Sequence, residues 1–198
     1  FIEANFLTTS PDALNFLPQN KQNYFIPNPA DSSLETLENY KKDCNMDVFF
    51  ALSHGVHRGV LKTGKFDERS NFINKLISIT KNVKFDLYGV NKIQPIWADH
   101  YFKTISNSKM GLNLSRGEPI KYYSSDRLTQ IIGNGLVTLI DDKTFYRDFF
   151  ENDEMVFYKN INDLSEKIKK ISLDEKMRKN IGRKGKVKYL KYFNSTLV

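Results

Sequence analysis

The sequence contains very few of the residues that build disulfides and metal centres. Its 198 residues include one Cys, three His and one Trp. The single Cys44 excludes a disulfide within the chain and a cysteine-based zinc site. No run approaches the roughly 20 consecutive apolar residues of a membrane-spanning helix, and no signal-peptide pattern is present. These absences favour a reducing compartment, and we predict a cytoplasmic protein.

The apolar content, in contrast, is sufficient for a folded core. Hydrophobic residues make up 40% of the chain and aromatic residues 13%, which excludes a disordered protein. The length suggests one domain, or one domain together with part of another. The chain starts at Phe1, in a strand-like run, and not at Met. We therefore expect it to be part of a longer protein.

The positive charge is concentrated at one end of the chain. The formal net charge is +7, and residues 159–198 hold twelve Lys and Arg against four Asp and Glu. The remainder is close to neutral, which disfavours a nucleic-acid partner bound across a basic surface. Aromatic residues are interleaved with the cations of this basic end. It is either a solvated helix or a helix that lies on an anionic membrane surface. The second would place the protein peripherally at the inner membrane surface.

Strand-like and helix-like segments alternate along the chain. Continuous apolar runs predict buried parallel strands, and apolar residues at helical spacing predict the helices between them. This alternation predicts a Rossmann-like, doubly wound parallel α/β sheet with flanking helices and a ligand at the carboxyl ends of the strands. The predicted strands are 47–52, 83–89, 110–115, 136–140 and 155–158. The predicted helices are 10–16, 33–42, 67–79, 96–106, 124–133, 144–150, 161–171 and 174–193.

The loop after the first long strand is one candidate for ligand contacts. Residues 53–65 supply glycine amides and cations, among them Gly55, Arg58 and Lys62, and these groups suit a diphosphate. The alternative is a flexible, solvated loop. His54 and His57 in the same region have no acidic pair nearby, so we predict no metal site and no cofactor.

Two further candidates also follow predicted strands. Ser115 and Arg116 come directly after the third strand. Residues 124–127 open a helix, whose free amides and partial positive charge favour an anion, and Arg127 adds a guanidinium. The plainer interpretation is an ordinary helix cap with a surface arginine. The predicted fold brings all three candidates to one edge of the sheet.

The segment SSDRLTQIIGNGLVTLID carries the most specific signal. Ser125, Arg127 and Gly135 match the pattern S-x-R-x-x-E-x-x-x-x-G followed by a strand, which resembles that of GT-B glycosyltransferases of the group-1 or CgeB-like branch. Gln130 stands where that family usually has Glu. DVFFALSHGVHRG and DERSNFINKL are similar to the first strand, loop and Arg-bearing helix of the C-terminal domain in that branch, which adds Arg69. The resemblance covers nearly the whole chain.

The resemblance implies the C-terminal half of a GT-B fold, in a metal-independent enzyme that uses a nucleotide-diphosphate sugar. Residues 1–32 would be the end of an N-terminal domain plus a hinge, 33–172 the donor-binding domain, and 173–198 a basic helix that packs back towards the N-terminal domain. The acceptor, for example a cell-surface glycan or lipid-linked sugar, would bind the other domain, without which this part would be inactive. The implied donor-binding residues are Gly55, Arg58, Lys62, Arg69, Gly89, Ser115, Arg116, Ser125, Arg127 and Gln130.

Two other functions remain open at this point. Position 130 is Gln, and the wider E-x7-E pattern is absent because Tyr122 stands at its earlier position. Both observations favour a non-catalytic binding module with a degenerate site. A nucleic-acid binder acting through the basic tail ranks last.

Overall fold

The computed structural model describes residues 3–18, 20–52 and 67–197. Within these residues the strands are β1 Ala4–Leu7, β2 Gln22–Phe25, β3 Met46–Ala51, β4 Phe85–Tyr88, β5 Ser108–Asn113, β6 Val137–Asp141 and β7 Val156–Tyr158. The α-helices are α1 Glu68–Ile79, α2 Ala98–Ile105, α3 Asp126–Gly133, α4 Ile161–Leu173 and α5 Glu175–Tyr192.

Five of the strands form one parallel sheet. Its order is β4-β3-β5-β6-β7, and each neighbouring pair is parallel. β1 and β2 form a separate two-stranded parallel sheet. The Rossmann-like α/β fold predicted from the sequence is confirmed. A parallel sheet places the carboxyl ends of all its strands at one edge, where ligands of such folds bind.

Both faces of the sheet are covered, because side chains alternate along each strand. Phe50 of β3 lies in a core with Ile73 of α1 and Leu164 of α4. Phe49, the preceding residue, lies in a second core with Ile105 of α2 and Ile131 of α3. The continuous apolar run of β3 therefore packs against helices on both faces of the sheet, as expected of a buried parallel strand.

A glycine lets α3 lie close to the sheet. A Cβ atom at Gly111 of β5 would stand 2.5 Å from Cγ1 of Ile131. Only glycine avoids this overlap without moving the helix. The position of α3 matters because its first turn forms part of the site described below.

The helix predicted over residues 33–42 is wrong. This segment contains turns and one 3₁₀ turn at Asn39–Lys41, because distant groups take its backbone hydrogen bonds. The side-chain oxygen of Asn134 accepts from the Leu37 amide, and the Asn134 carbonyl accepts from the Asn39 amide. Lys186 donates to the carbonyls of Glu35 (2.9 Å) and Leu37 (2.7 Å). A helix would have required the same amides and carbonyls.

Two other predicted helices are also shorter than expected. The helix expected over 10–16 is a single 3₁₀ turn at Pro11–Ala13, and none of its residues is buried. Without an apolar face to bury, so short a helix has little to stabilise it. The helix expected over 144–150 is broken by Phe145, whose φ of +59° is left-handed, and only a 3₁₀ turn at Tyr146–Asp148 follows.

The basic helix α5 packs against the rest of the chain through its cations. Arg178 is buried and donates to the carbonyls of Asn39 (2.7 Å) and Lys42 (2.9 Å). Lys186 is buried as well, so part of the positive charge serves the fold. After α5, the Phe193 carbonyl accepts from the amide of Ala30, which ties the tail to residues near 30. No α-helix within the described ranges is long and apolar enough to cross a membrane.

We expect Gly89→Ala to destabilise the fold strongly. Gly89 follows β4 with φ of +72°, and an added Cβ would lie 2.2 Å from the Leu52 carbonyl oxygen. The control is Gly117→Ala, because Gly117 has the same φ but no described atom within 4 Å of an added Cβ. Backbone strain alone costs about 1 kcal/mol, whereas the overlap at Gly89 brings the loss to about 3 kcal/mol or more. Urea denaturation of both variants measures the difference, and equal losses would contradict the packing argument.

Candidate functional site

A cavity of about 710 Å³ lies at the carboxyl ends of β3 and β5. Ala51 and Leu52 line it at the end of β3, and Ser115 and Arg116 line it just beyond β5. The remaining walls come from α1, α2, the loop 118–123 and the first turns of α3. The cavity therefore occupies the edge of the sheet at which ligands of parallel α/β folds bind.

The structure brings six of the ten sequence-predicted residues together in this cavity. They are Arg69, Ser115, Arg116, Ser125, Arg127 and Gln130. Gly89 is not part of the lining, and it packs instead against the backbone of Leu52. Gly55, Arg58 and Lys62 lie outside the described residues.

Arg127 is a fixed cation in the wall of the cavity. Its Nε donates to the carbonyl of Ala51 (3.2 Å) and its Nη1 to the carbonyl of Leu114 (3.0 Å). The guanidinium lies 5.4 Å from the ring centre of Phe50. Burial, and secondly the nearby charge of Arg69, lowers the pKa of Arg127 to about 10. The group remains charged at neutral pH, and an anion in the cavity would stabilise that charge.

A second guanidinium is held by a carboxylate before α1. Asp67 caps α1 and accepts from the backbone amide of Arg69 (3.0 Å). The same carboxylate accepts from Nε (2.9 Å) and Nη2 (2.7 Å) of the Arg69 side chain. Both residues are buried, and this two-pronged geometry fixes the orientation of the guanidinium. Arg69 thus contributes a well-oriented cation to the lining.

The first turn of α3 presents unused backbone donors. Ser125 is the cap residue, and its Oγ accepts from the Leu128 amide (3.4 Å) and donates to Oδ1 of Asn113 (3.3 Å). The amides of Asp126 and Arg127 have no hydrogen bond to any described residue, as expected of a helix N-terminus. Both residues line the cavity. The helix N-terminus and the Arg127 guanidinium therefore favour an anion at the same place.

An aromatic wall, which includes Trp97 and Tyr101, also lines the cavity. Trp97, which precedes α2, is 52% exposed. Tyr101 of α2 is held edge-on against Phe49, with ring centres 5.3 Å apart. Its hydroxyl is buried and has no hydrogen-bond partner among the described residues. The apolar and aromatic lining comprises Leu52, Ile96, Trp97, Tyr101, Phe102, Ile120 and Tyr123.

A comparison with protein families decides the assignment. The profile described as "Glycosyl transferase-like" matches residues 69–196, which is well over half of the chain. The chain belongs to this glycosyl transferase-like family. The match spans α1 to the end of α5 and includes the six sequence-predicted residues of the cavity.

Solved glycosyltransferase structures share the fold. An alpha-glucosyltransferase, solved with UDP-glucose and DNA containing an abasic site, superposes with a TM-score of 0.59 at 12% identity, over 92% of this chain and 57% of that one. Sucrose-phosphate synthase from Thermosynechococcus elongatus superposes with a TM-score of 0.55 at 12% identity, over 90% of this chain and 50% of that one. TarM superposes with a TM-score of 0.51 at 14% identity, over 92% of this chain and 49% of that one.

These similarities identify the architecture. They are consistent with the C-terminal domain of a GT-B glycosyltransferase, and the present chain spans about half the length of each solved structure. No curated protein sequence matches the chain. The CgeB-like branch implied by the sequence pattern receives no support from the comparisons.

The glycosyl transferase-like domain shows no metal centre in its described residues. Residues 3–18, 20–52 and 67–197 contain no group of three or more His, Cys, Asp and Glu placed to hold an ion. His54 and His57 lie outside these ranges. Gln130, at the position of the usual Glu, lines the cavity one turn after Arg127, and its side chain makes no hydrogen bond to a described residue.

Sequence reasoning missed two components of the site. The aromatic wall was visible only as a predicted helix with Trp97 and Tyr101 on one face, a pattern that is also typical of core packing. Asn28 falls in residues 1–32, predicted to contain a hinge, and no sequence signal connects it to α3. The structure shows it bonded to the first turn of α3, through Nδ2 to Oδ1 of Asp126 (2.8 Å).

We expect Tyr101→Phe to stabilise the protein by about 1 kcal/mol, because it removes a buried hydroxyl that has no described partner. Tyr189→Phe is the matched control. The Tyr189 hydroxyl is also buried, but it donates to the Asn28 carbonyl (2.7 Å) and lies 3.1 Å from Oγ1 of Thr129. Its removal should destabilise by about 1–2 kcal/mol. Denaturation midpoints of both variants give the signs, and a destabilised Tyr101→Phe would contradict the assignment.

Proposed function

We propose that this domain binds the donor of a glycosyl transfer reaction, a nucleotide-diphosphate sugar, in the cavity at the ends of β3 and β5. The observation that carries the proposal is the convergence of Arg127, Arg69, Arg116 and the free amides of α3 at one cavity. Such groups bind a diphosphate and stabilise the negative charge that it gains as it leaves the sugar.

The aromatic wall supports the same proposal. A nucleotide has a flat, apolar base in addition to its phosphates, and exposed aromatic rings provide a stacking surface for it. Trp97 is half exposed and lines the same cavity as the three arginines. Gln130 provides an uncharged donor and acceptor suited to hydroxyl groups such as those of ribose. The volume of about 710 Å³ is within the range of sites for small organic ligands.

The proposed reaction requires groups beyond the described cavity. In this proposal the domain orients the donor and neutralises the leaving diphosphate, while the acceptor and any catalytic base come from another part of a longer protein. One solved structure with a similar fold is a complex with UDP-glucose, so uridine nucleotides are the first probes to use. The cations and amides named above bind the donor without a metal ion in this proposal.

We expect Arg127→Met to weaken binding of nucleotide diphosphates about 10- to 100-fold, because a charged hydrogen bond contributes about 1.5–3 kcal/mol. Titration calorimetry with UDP, GDP and ADP measures the change. Arg116→Met removes another positive charge from the cavity. The fold should be unaffected, since Arg116 is exposed and makes no hydrogen bond to a described residue. We expect it to weaken binding about three- to tenfold.

The control is Arg147→Met. Arg147 pairs with Asp142 and lies 4.3 Å from the ring centre of Phe157, and it is not part of the cavity. This variant should bind like the wild type. If no nucleotide diphosphate binds the wild-type chain at millimolar concentration, the proposed function is wrong.

The alternative is a non-catalytic binding module. The observation that favours it is Gln130, which carries no charge at the position of the usual Glu. Both functions predict nucleotide binding by this chain, so binding alone does not separate them. Sugar transfer from a nucleotide sugar by a longer protein containing this chain would exclude the alternative.

We also propose that the exposed stripe of α5 binds anionic membrane surfaces at the cytoplasmic side. The stripe consists of four exposed residues at helical spacing, Lys176, Arg183, Val187 and Lys191. Its three cations have no ion pair with a described residue. A helix with this arrangement suits a surface of acidic headgroups.

We expect the triple variant Lys176→Glu, Arg183→Glu, Lys191→Glu to lose binding to phosphatidylglycerol vesicles at least about tenfold, since each cation contributes about 1 kcal/mol. Vesicle sedimentation measures it, with phosphatidylcholine vesicles for comparison. The control reverses three exposed lysines elsewhere and has the same net charge: Lys75→Glu, Lys81→Glu, Lys103→Glu. Equal losses in both triple variants would show that net charge, and not this stripe, is responsible. Absence of wild-type binding would exclude the proposal.

A further inference from the structure

Asn28 is bonded to α3 and its surroundings through its backbone amide, its carbonyl and its side-chain nitrogen. It stands between Pro27 and Pro29, which restrict the backbone. Its amide donates to Oγ of Ser124 (2.9 Å), and its carbonyl accepts from Oγ1 of Thr129 (3.0 Å) and from the Tyr189 hydroxyl (2.7 Å). These three bonds fix the backbone of Asn28 independently of its side chain.

The fourth bond is made by the side chain. Nδ2 of Asn28 donates to Oδ1 of Asp126 at 2.8 Å. Since an ionised carboxylate only accepts, the nitrogen of the amide must face it. Asp126 is exposed, lines the cavity, and is the first residue of α3, directly before Arg127. A carboxylate therefore stands beside Arg127 in a lining that holds three arginines and one other carboxylate, that of Glu118.

The position of Asp126 poses a problem for anion binding. Acidic side chains in the first turn of a helix are attracted to its free amides and partial positive charge. The amides of Asp126 and Arg127 are free of described partners, and they are the donors that a diphosphate would use. An unrestrained carboxylate at this position would compete with the ligand for them and would also repel it.

We propose that Asn28 is a positioning residue that holds the Asp126 carboxylate away from the anion-binding donors of α3. This inference rests on the proposed function, because it assigns a role to a contact at the edge of the same site. The amide of Asn28 fixes the orientation of the carboxylate and offsets part of its charge. The prolines on either side keep the amide where Asp126 can meet it.

The proposal is tested by nucleotide binding to Asn28→Ala in the full chain. The substitution removes one of four hydrogen bonds and leaves the three backbone bonds intact, so the fold should persist. We expect UDP to bind about three- to tenfold more weakly and uridine to change by less than about twofold, because only the charged ligand competes with Asp126. Titration calorimetry measures UDP binding, and amide NMR shifts measure the weaker uridine binding.

Two further variants separate this role from a purely structural one. Asn28→Asp places a second carboxylate against Asp126 and should weaken UDP binding more than Asn28→Ala does. The double variant Asn28→Ala, Asp126→Asn removes the competing charge and should restore UDP binding to within about twofold of the wild type. Asn23→Ala is the control for an asparagine of the same N-terminal segment, since Asn23 bonds Asn5 and not α3.

Each outcome supports or overturns the inference. Wild-type UDP binding with an unaffected Asn28→Ala would overturn it and leave the proposed function intact. Equal weakening of UDP and uridine, or no recovery in the double variant, would show that Asn28 acts only through the fold. If UDP, GDP and ADP all fail to bind the wild type, the proposed function and this inference are both wrong.

Discussion

The arrangement of the site depends on two hydrogen bonds from Arg127 to the carbonyls of Ala51 and Leu114. These carbonyls lie at the carboxyl ends of neighbouring parallel strands, and the Arg127 guanidinium donates to both. It thereby joins β3, β5 and the first turn of α3 into one rigid corner. The same guanidinium lies partly buried beside Arg69, and this lowers its pKa. A group that holds the sheet edge together is thus also one whose charge a bound anion would stabilise.

The basic composition has a different meaning once the positions of the charges are known. Arg178 and Lys186 of α5 are buried and donate to carbonyls between residues 35 and 42. Lys184 and Lys188 pair with Asp153 and Glu154. These cations bond backbone carbonyls or pair with acids, so they serve the fold and are not free to contact an external partner. The exposed stripe that remains on α5 is much smaller than the net charge of the chain suggests.

The sequence was most informative where local pattern and tertiary environment agree. The strands of the main sheet and helices α1 to α5 have apolar patterns that the buried hydrophobic clusters satisfy. The cap at Ser125 follows from local chemistry alone. The prediction failed at 33–42, where Asn134 and Lys186 take the backbone hydrogen bonds. Partners about 100 to 150 residues away leave no local signal. The bond between Asn28 and Asp126 was hidden for the same reason.

The first turn of α3 is therefore where three independent constraints meet. Ser125 caps it, Arg127 ties it to the ends of β3 and β5, and Asn28 ties it to the segment that carries β1 and β2. A displacement of the proline-flanked segment would strain the bonds that Asn28 makes to residues of α3 and beside it. Asp126 is the neighbour of Arg127, so such a displacement would also move a charge in the lining of the cavity. Through the proposed role of Asn28, this segment would be coupled to the candidate site electrostatically, within a single turn of helix.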